Sequence, residues 1–111
     1  MKDVIVTGGR IYEDAEKMKL VLDCFDIGLL IQGGAKGADA MALTYAQIRN
    51  IKTVTMKANW DLHGKAAGPI RNRTMLNAHP NAIVVAFPGG RGTDNCISEA
   101  QARNMTILRV L

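Results

Sequence analysis

The chain has 111 residues, the size of one domain, and 48% of them are apolar, which is enough for a buried core. The charged fraction of 22% is too low for a disordered tail. No apolar run is long enough to cross a membrane, and no basic segment with a long apolar stretch opens the chain. We therefore expect a single cytoplasmic domain spanning residues 1–111.

The net charge of +4 is compatible with nucleic acid, but the basic residues are dispersed and do not interleave with the aromatic ones. A small anionic ligand accounts for the charge equally well. Cys24 and Cys96 lie far apart and show no metal-binding spacing. We expect two buried or half-buried free thiols, with neither a disulfide nor a metal site.

Predicted strands and helices alternate along the chain. Runs of β-branched and apolar residues predict strands at 4–7, 29–31, 53–56, 82–86 and 106–110. Helical spacing predicts helices at 13–25, 38–49, 70–78 and 94–103, with a long irregular loop at 57–69. This order favours an α/β fold: a doubly wound, Rossmann-like sandwich with a mainly parallel five-stranded sheet and about four helices.

The glycines concentrate on one side of this pattern. Ten of the eleven follow the first four predicted strands, and Gly28 alone falls in a helix-to-strand connection. In a parallel sheet the ends of those strands share one edge, which is where such folds bind ligands. Loops that only turned the chain would place glycine at both edges. The asymmetry therefore predicts a binding site.

Two of these loops have phosphate-binding character. TGGR at residues 7–10 lacks the GxGxxG spacing of dinucleotide folds, so we expect no standard NAD site. GGAKGAD at residues 33–39 resembles a phosphate loop but lacks the GK[ST] of a Walker A sequence. Asp39 is expected either to cap the following helix or to hold a ribose hydroxyl.

The third segment, residues 58–75, carries a tryptophan, a histidine and three cations around a helix start. Trp60 is either a core anchor or a flat wall for a base. His63 is interpreted as a surface polar residue. Arg71 and Arg73 are two positions apart and point to different sides of the helix, so at most one faces the strand ends.

PGGRGT at residues 88–93 is the most specific of these motifs. Glycine lets the backbone approach a ligand closely, and the next helix offers unpaired N–H groups to an anion. Thr93 is expected to act as the helix N-cap.

Five blocks in order make the chain resemble a known family: VTGGR at 6–10, GGAKGAD at 33–39, ANW at 58–60, GKAAGPIRNRTM at 64–75 and FPGGRGT at 87–93. The chain resembles the YspA-type, YpsA-related branch of the SLOG superfamily, a domain of unknown function common in bacteria and phages. The resemblance covers nearly the whole chain. SLOG domains are Rossmann-like and include Lonely Guy phosphoribohydrolases, DprA-type DNA-binding proteins and sensors of nucleotide-derived messengers.

The resemblance implies a nucleotide-like ligand over the strand ends. Lonely Guy enzymes carry PGGxGTxxE, whose glutamate contacts the ribose and serves catalysis. Here Asn95 and Cys96 stand two and three positions after Thr93, and Glu99 lies a full turn further on. Arg71 matches the helix arginine of those enzymes, with Met75 four residues later. The resemblance thus carries over phosphate binding and leaves the hydrolytic carboxylate in doubt.

Three functions follow as hypotheses. The first is a sensor, carrier or sequestering protein that binds a nucleotide or an ADP-ribose-like molecule. The second is a nucleoside 5′-monophosphate glycosidase, with Asp39, Asp94 or Glu99 as the candidate carboxylate near the sugar. The third is DprA-like DNA binding, which the short chain and the dispersed charge disfavour.

No cofactor, membrane or nucleic-acid partner is expected, and the resemblance allows a homodimer or a higher homo-oligomer. The residues expected to bind the ligand and its phosphate follow the strands or begin the helices: Gly8, Gly9, Arg10, Gly33, Gly34, Lys36, Gly37, Asp39, Trp60, Arg71, Asn72, Pro88, Gly89, Gly90, Arg91, Gly92 and Thr93.

Overall fold

One five-stranded parallel sheet forms the centre of the protein, in a computed structural model that describes residues 1–111. The strands are β1 (Lys2–Thr7), β2 (Ile27–Gln32), β3 (Lys52–Thr55), β4 (Ile83–Ala86) and β5 (Ile107–Arg109). Their order in the sheet is β3-β2-β1-β4-β5, and every neighbouring pair is parallel. The chain therefore winds outward from β1 in both directions, which confirms the doubly wound α/β prediction.

Helices cover both faces of the sheet. They are α1 (Ala15–Leu22), α2 (Ala38–Ile48), the one-turn α3 (Trp60–His63), α4 (Ala67–Ala78) and α5 (Arg91–Ala102), and a 3-10 turn at Gly64–Ala66 joins α3 to α4. Side chains of α1 and α2 share one hydrophobic cluster with Val4 and Val6, whereas those of α4 and α5 share a second cluster with Ile5. Alternate residues of β1 thus serve opposite cores.

The continuous apolar run of β1 follows from this central position. Val4, Ile5 and Val6 are almost completely inaccessible to solvent, because helices cover the strand on both faces and β2 and β4 flank it. Fully burying one such side chain contributes roughly 1.5–3 kcal/mol. The two cores therefore fix β1, and the loop that leaves it, in the middle of the molecule.

The segment expected to be one long loop, residues 57–69, is mostly helical instead. It contains α3, the 3-10 turn and the first residues of α4. Pro69 does not prevent this because it lies in the first turn, where a missing N–H breaks no helical hydrogen bond. Gly68 fits because it faces the indole: a Cβ there would lie 3.3 Å from Cη2 of Trp60.

Two further helix boundaries differ from expectation. α5 begins at Arg91 rather than Asp94, and its N-cap is Gly90, so the expected capping role of Thr93 is wrong. Glycine at residues 90 and 92 lowers the helix propensity of this turn, which explains why the predicted start is too late.

α1 begins at Ala15, and the Asp14 side chain accepts a hydrogen bond from the Lys17 N–H. Gly28 lies inside β2 rather than before it.

The two cysteines occupy different environments. Cys96 is buried in the second core, and burial raises the pKa of its thiol to about 11. Cys24 is exposed just after α1, where its Sγ donates to the carbonyl oxygen of Leu20, so the prediction that it is buried or half-buried is wrong. None of the helices has the length and apolar character needed to cross a membrane.

Candidate functional site

A cleft of about 900 Å³ opens at the carboxyl ends of β1 and β4. These strands are neighbours at the point where the sheet order reverses, which is the usual ligand position in doubly wound folds. The loops at residues 7–14 and 88–93 form most of its walls. Asp39, Trp60 and Arg71 complete them from three other elements. We call this cavity the main cleft.

Backbone hydrogen bonds hold the loops of the main cleft together. The Gly9 N–H donates to the Pro88 carbonyl at 2.9 Å, and the Phe87 N–H donates to the Thr7 carbonyl at 2.9 Å. The Gly9 carbonyl in turn accepts from the Ala38 N–H at 3.1 Å. The loop after β1 is therefore attached both to the loop after β4 and to the start of α2.

The close packing of these loops explains why residues 37 and 89 are glycine. Gly37 has a φ of +73°, and a Cβ there would collide with the carbonyl group of Gly9. A Cβ on Gly89 would lie 2.7 Å from the backbone nitrogen of Gly9. Both glycines serve the contact between loops, since only a residue without a side chain permits it.

Gly90 and Gly92 differ from these two. A Cβ at either position would meet no protein atom within 4 Å, although Gly90 and Gly92 both line the main cleft. The packing of the protein itself therefore gives no reason for the missing side chains. A ligand that approaches the backbone closely would give one.

The start of α5 presents free backbone donors to the same space. Its first helical hydrogen bond runs from the Asp94 N–H to the Gly90 carbonyl, and no side chain caps the helix. The N–H groups of Arg91, Gly92 and Thr93 therefore have no acceptor within the helix. Together with the positive end of the helix dipole, they form an arrangement suited to an anion.

Arg71 is held between two loops and keeps donors available. Its Nη1 donates to the Gly33 carbonyl at 2.6 Å, and its Nε donates to Oδ1 of Asn72 at 2.9 Å. Its Nη2 donates to no protein atom. Arg73 lies on another side of α4 and forms a salt bridge with Glu99 at 3.4 Å. The prediction that at most one of these two arginines faces the strand ends is confirmed.

Asp39 is a buried carboxylate in the wall of the main cleft, with 5% of its surface exposed. It accepts a hydrogen bond from the Ala35 N–H at 3.2 Å, so it stabilises the loop before α2 rather than capping the helix, whose N-cap is Gly37. Burial raises the pKa of Asp39, although the Ala35 hydrogen bond and the charge of Arg71 partly oppose this shift.

Trp60 lies at the edge of the main cleft with 47% of its surface exposed, so it is not a core anchor. The Arg10 guanidinium carbon lies 5.4 Å from the centroid of its ring, within the range of a cation–π contact. Of the two roles considered for Trp60, the flat wall for a base is the one that its position permits.

The other predicted site residues fall into three groups. Gly33, Gly34 and Lys36 line an adjacent pocket, not the main cleft. Asn72 is buried beneath α5 and hydrogen-bonds protein atoms. Two candidate carboxylates, Asp94 and Glu99, do not line the main cleft.

The thiol of Cys96 occupies the position of the Lonely Guy glutamate, and it is buried. Glu99 instead pairs with Arg73 and Arg103, whose hydrogen bonds and charges lower its pKa. No carboxylate therefore stands at the position of the glutamate in the PGGxGTxxE motif.

Sequence reasoning missed seven residues of the main cleft: Thr7, Ile11, Tyr12, Glu13, Asp14, Ala35 and Gly68. Four of these lie between β1 and α1, where the sequence predicts a shorter loop and a helix from residue 13. Asp14 was the available signal, because an aspartate before an apolar helical pattern is typical of an N-cap. Starting α1 after Asp14 would have extended the loop to its actual length.

Comparison with known proteins agrees with this architecture. The sequence model of the YspA, cpYpsA-related SLOG family (YAcAr) matches residues 2–63, which include β1, β2, β3 and the loops that follow β1 and β2. The chain is also 33% identical to the Gene 61 protein of Mycobacterium phage D29 over an alignment of 120 residues, which covers 97% of this chain and 95% of that protein. The chain therefore belongs to the YspA, cpYpsA-related SLOG family.

Proposed function

We propose that this protein binds a nucleotide or a nucleotide-derived small molecule in the main cleft, as a sensor, carrier or sequestering protein. The observation that carries this proposal is the start of α5, where uncapped N–H groups lie beside two glycines whose missing side chains serve no contact in the protein. A phosphate group has the charge and the acceptor oxygens that such a turn accommodates.

Arginines around the turn support a phosphate rather than a neutral group. Arg10, Arg71 and Arg91 all line the main cleft, and none of them forms a salt bridge with a carboxylate of the protein. Arg71 is the best placed of the three because its neighbours fix the guanidinium while Nη2 stays available. A positioned arginine donates charge-assisted hydrogen bonds to phosphate oxygens.

The remaining walls suit the rest of a nucleotide. Trp60 offers an aromatic face at the edge of the main cleft, where a base could stack. Asp39 supplies a carboxylate toward which ribose hydroxyls could donate. Membership of a SLOG family, whose domains are nucleotide-related, agrees with this assignment.

The glycosidase alternative receives less support. Of its three candidate carboxylates only Asp39 lines the main cleft, and its Oδ2 already accepts a backbone hydrogen bond. A carboxylate that stabilises an oxocarbenium-like transition state must face the sugar. Glu13 and Asp14 also line the main cleft, and Asp14 already accepts from the Lys17 N–H at the start of α1. Because Asp39 is held by its own loop and neither Asp94 nor Glu99 lines the main cleft, we propose binding without cleavage.

Calorimetric titration with AMP, GMP, CMP, UMP and ADP-ribose tests the proposal. We expect at least one of these to bind, and Arg71→Ala to weaken that binding by about 10-fold or more, the value of a charge-assisted hydrogen bond. Arg73→Ala is the matched control. It removes the same side chain from the same helix outside the main cleft, so the dissociation constant should stay within about 2-fold.

Thermal unfolding of both variants shows whether they are folded under the titration conditions. Absence of binding by every nucleotide at millimolar concentration would overturn the proposal. Equal effects of Arg71→Ala and Arg73→Ala would also overturn it, because the phosphate would then lie elsewhere.

A further inference from the structure

A second pocket, of about 440 Å³, lies beside the main cleft and is markedly cationic. The loops after β2 and β3 form it, together with Arg10, Trp60 and Arg71. Four of its nine lining residues are lysine or arginine, and none is aspartate or glutamate. We call it the cationic pocket.

No salt bridge neutralises the four cations of this pocket, although Arg71 donates to uncharged oxygens and Arg10 stacks on Trp60. Arg10, Lys36, Lys57 and Arg71 are absent from every salt bridge of the protein. Gathering like charges around a concave surface creates a positive potential that an anion neutralises. The surface thus differs from the exposed face of α4, where Arg73 is neutralised by Glu99.

Lys57 is positioned at this pocket by its own packing. Gly34 has a φ of +72°, and a Cβ there would lie 2.8 Å from Cγ of Lys57. The aliphatic part of Lys57 therefore runs closely over the loop after β2, and Lys57 lines the pocket. No sequence motif pointed to this residue.

The cationic pocket and the main cleft adjoin each other. Arg10, Ala35, Trp60 and Arg71 line both, so the stacked pair of Arg10 and Trp60 marks the boundary between them. The Arg71 guanidinium lies at the same boundary, where Nη2 is its available donor. A ligand that extends past this boundary would meet the start of α5 on one side and Lys36 and Lys57 on the other.

We propose that the cationic pocket binds a second phosphate of the same ligand, which is then a nucleotide whose two phosphate groups are separated by the sugar. This inference rests on the proposed function. A contiguous diphosphate at the start of α5 would leave Lys36 and Lys57 unused. A nucleic-acid strand is disfavoured because exposed Glu13 and Asp14 also line the main cleft and would repel a continuing phosphodiester backbone.

The test compares adenosine and guanosine 3′,5′-bisphosphates with the matching 5′-monophosphates and 5′-diphosphates by calorimetric titration. We expect the better bisphosphate to bind at least 10-fold more tightly than its monophosphate and more tightly than its diphosphate. Lys57→Ala should remove most of that advantage and change monophosphate affinity by less than 2-fold. Lys52→Ala removes the same charge at the opposite end of β3 and should have no such effect.

The outcomes separate the two proposals. If monophosphates bind in an Arg71-dependent manner but bisphosphates bind no more tightly, this inference fails and the proposed function stands. If Lys57→Ala and Lys52→Ala behave alike, the inference also fails. If an oligothymidylate binds more tightly than the bisphosphates and its affinity falls steeply with salt, the ligand is a nucleic acid and this inference fails. Absence of all binding would overturn both proposals.

Discussion

Replacing glycine by alanine should stabilise the protein at Gly92 and destabilise it at Gly37. Gly92 lies in the first turn of α5 with open space around it, so we expect Gly92→Ala to raise the free energy of unfolding by about 0.5–1 kcal/mol. Gly37 has a positive φ, and a Cβ there would clash with the Gly9 carbonyl. Gly37→Ala should therefore lower the free energy of unfolding by roughly 2 kcal/mol or more. Urea unfolding measures both changes.

Nucleotide titration of the Gly92→Ala variant completes this prediction. The added methyl group occupies the space through which a phosphate would reach the N–H groups, so binding should weaken by about 10-fold. A variant that is more stable and binds less well identifies a glycine kept for the ligand. Unchanged binding would mean that the phosphate does not contact this turn.

At the level of single residues, the sequence predicted the glycine-rich edge but not which glycines are required by packing and which have open space around them. Glycines that permit loops to touch and glycines that leave room for a ligand have the same letter in the sequence. Lys57 was missed because its place in the cationic pocket depends on packing over Gly34, a residue 23 positions earlier that only the pairing of β2 with β3 brings close.

Among the elements, α4 and α5 are connected near the main cleft by the buried side chain of Asn72. Asn72 donates from Nδ2 to the Gly92 carbonyl at 3.2 Å and to Oδ1 of Asn95 at 3.0 Å. Its Oδ1 accepts from Nε of Arg71. Asn72 therefore holds Arg71 and the start of α5 in fixed relation, as a positioning residue for the proposed phosphate site.

Removal of this connection should affect both stability and binding. We expect Asn72→Ala to lower the free energy of unfolding by about 1–3 kcal/mol, because buried polar groups lose their partners, and to weaken nucleotide binding. Asn77→Ala is the control, since Asn77 is exposed on the same helix and only accepts from Nε of Arg103. Its effect should stay within about 0.5 kcal/mol. Equal losses in the two variants would contradict this role.

The elements themselves were predictable where apolar runs are uninterrupted, as in β1 and β4, or where apolar residues recur at helical spacing, as in α2. The errors lie where glycine and proline are dense. Residues 57–69 looked like a loop because Gly64, Gly68 and Pro69 disfavour a helix by propensity alone. At Gly68 the close contact with Trp60 favours glycine within the helix. A helix propensity scale contains no information about such a contact.

For the molecule as a whole, strand order decides which loops form a common cavity. The alternation of strands and helices predicted that four loops share one edge, but it does not fix the order of the strands. The observed order makes β1 and β4 neighbours, so the loops at 7–14 and 88–93 enclose the main cleft. The loops after β2 and β3 are displaced to one side and form the cationic pocket.

The same order sets a gradient of stability across the sheet. β1 is hydrogen-bonded by β2 and β4 and contributes to both cores, whereas β5 has three residues and a single neighbour. Amides of Val4, Ile5 and Val6 should therefore exchange with solvent deuterium only through global unfolding. Amides of β5 should exchange at least about 100-fold faster, through local opening of the edge.

Hydrogen exchange followed by NMR measures this gradient. The same experiment tests whether a nucleotide contacts the N–H groups at the start of α5. The uncapped N–H groups of Arg91, Gly92 and Thr93 should exchange rapidly in the free protein and slow on addition of a saturating nucleotide, because a phosphate would accept hydrogen bonds from them. β1 should respond only as far as the ligand raises global stability. Equal protection of β5 and β1 would contradict the gradient, and ligand-induced protection confined to other loops would contradict a phosphate at α5.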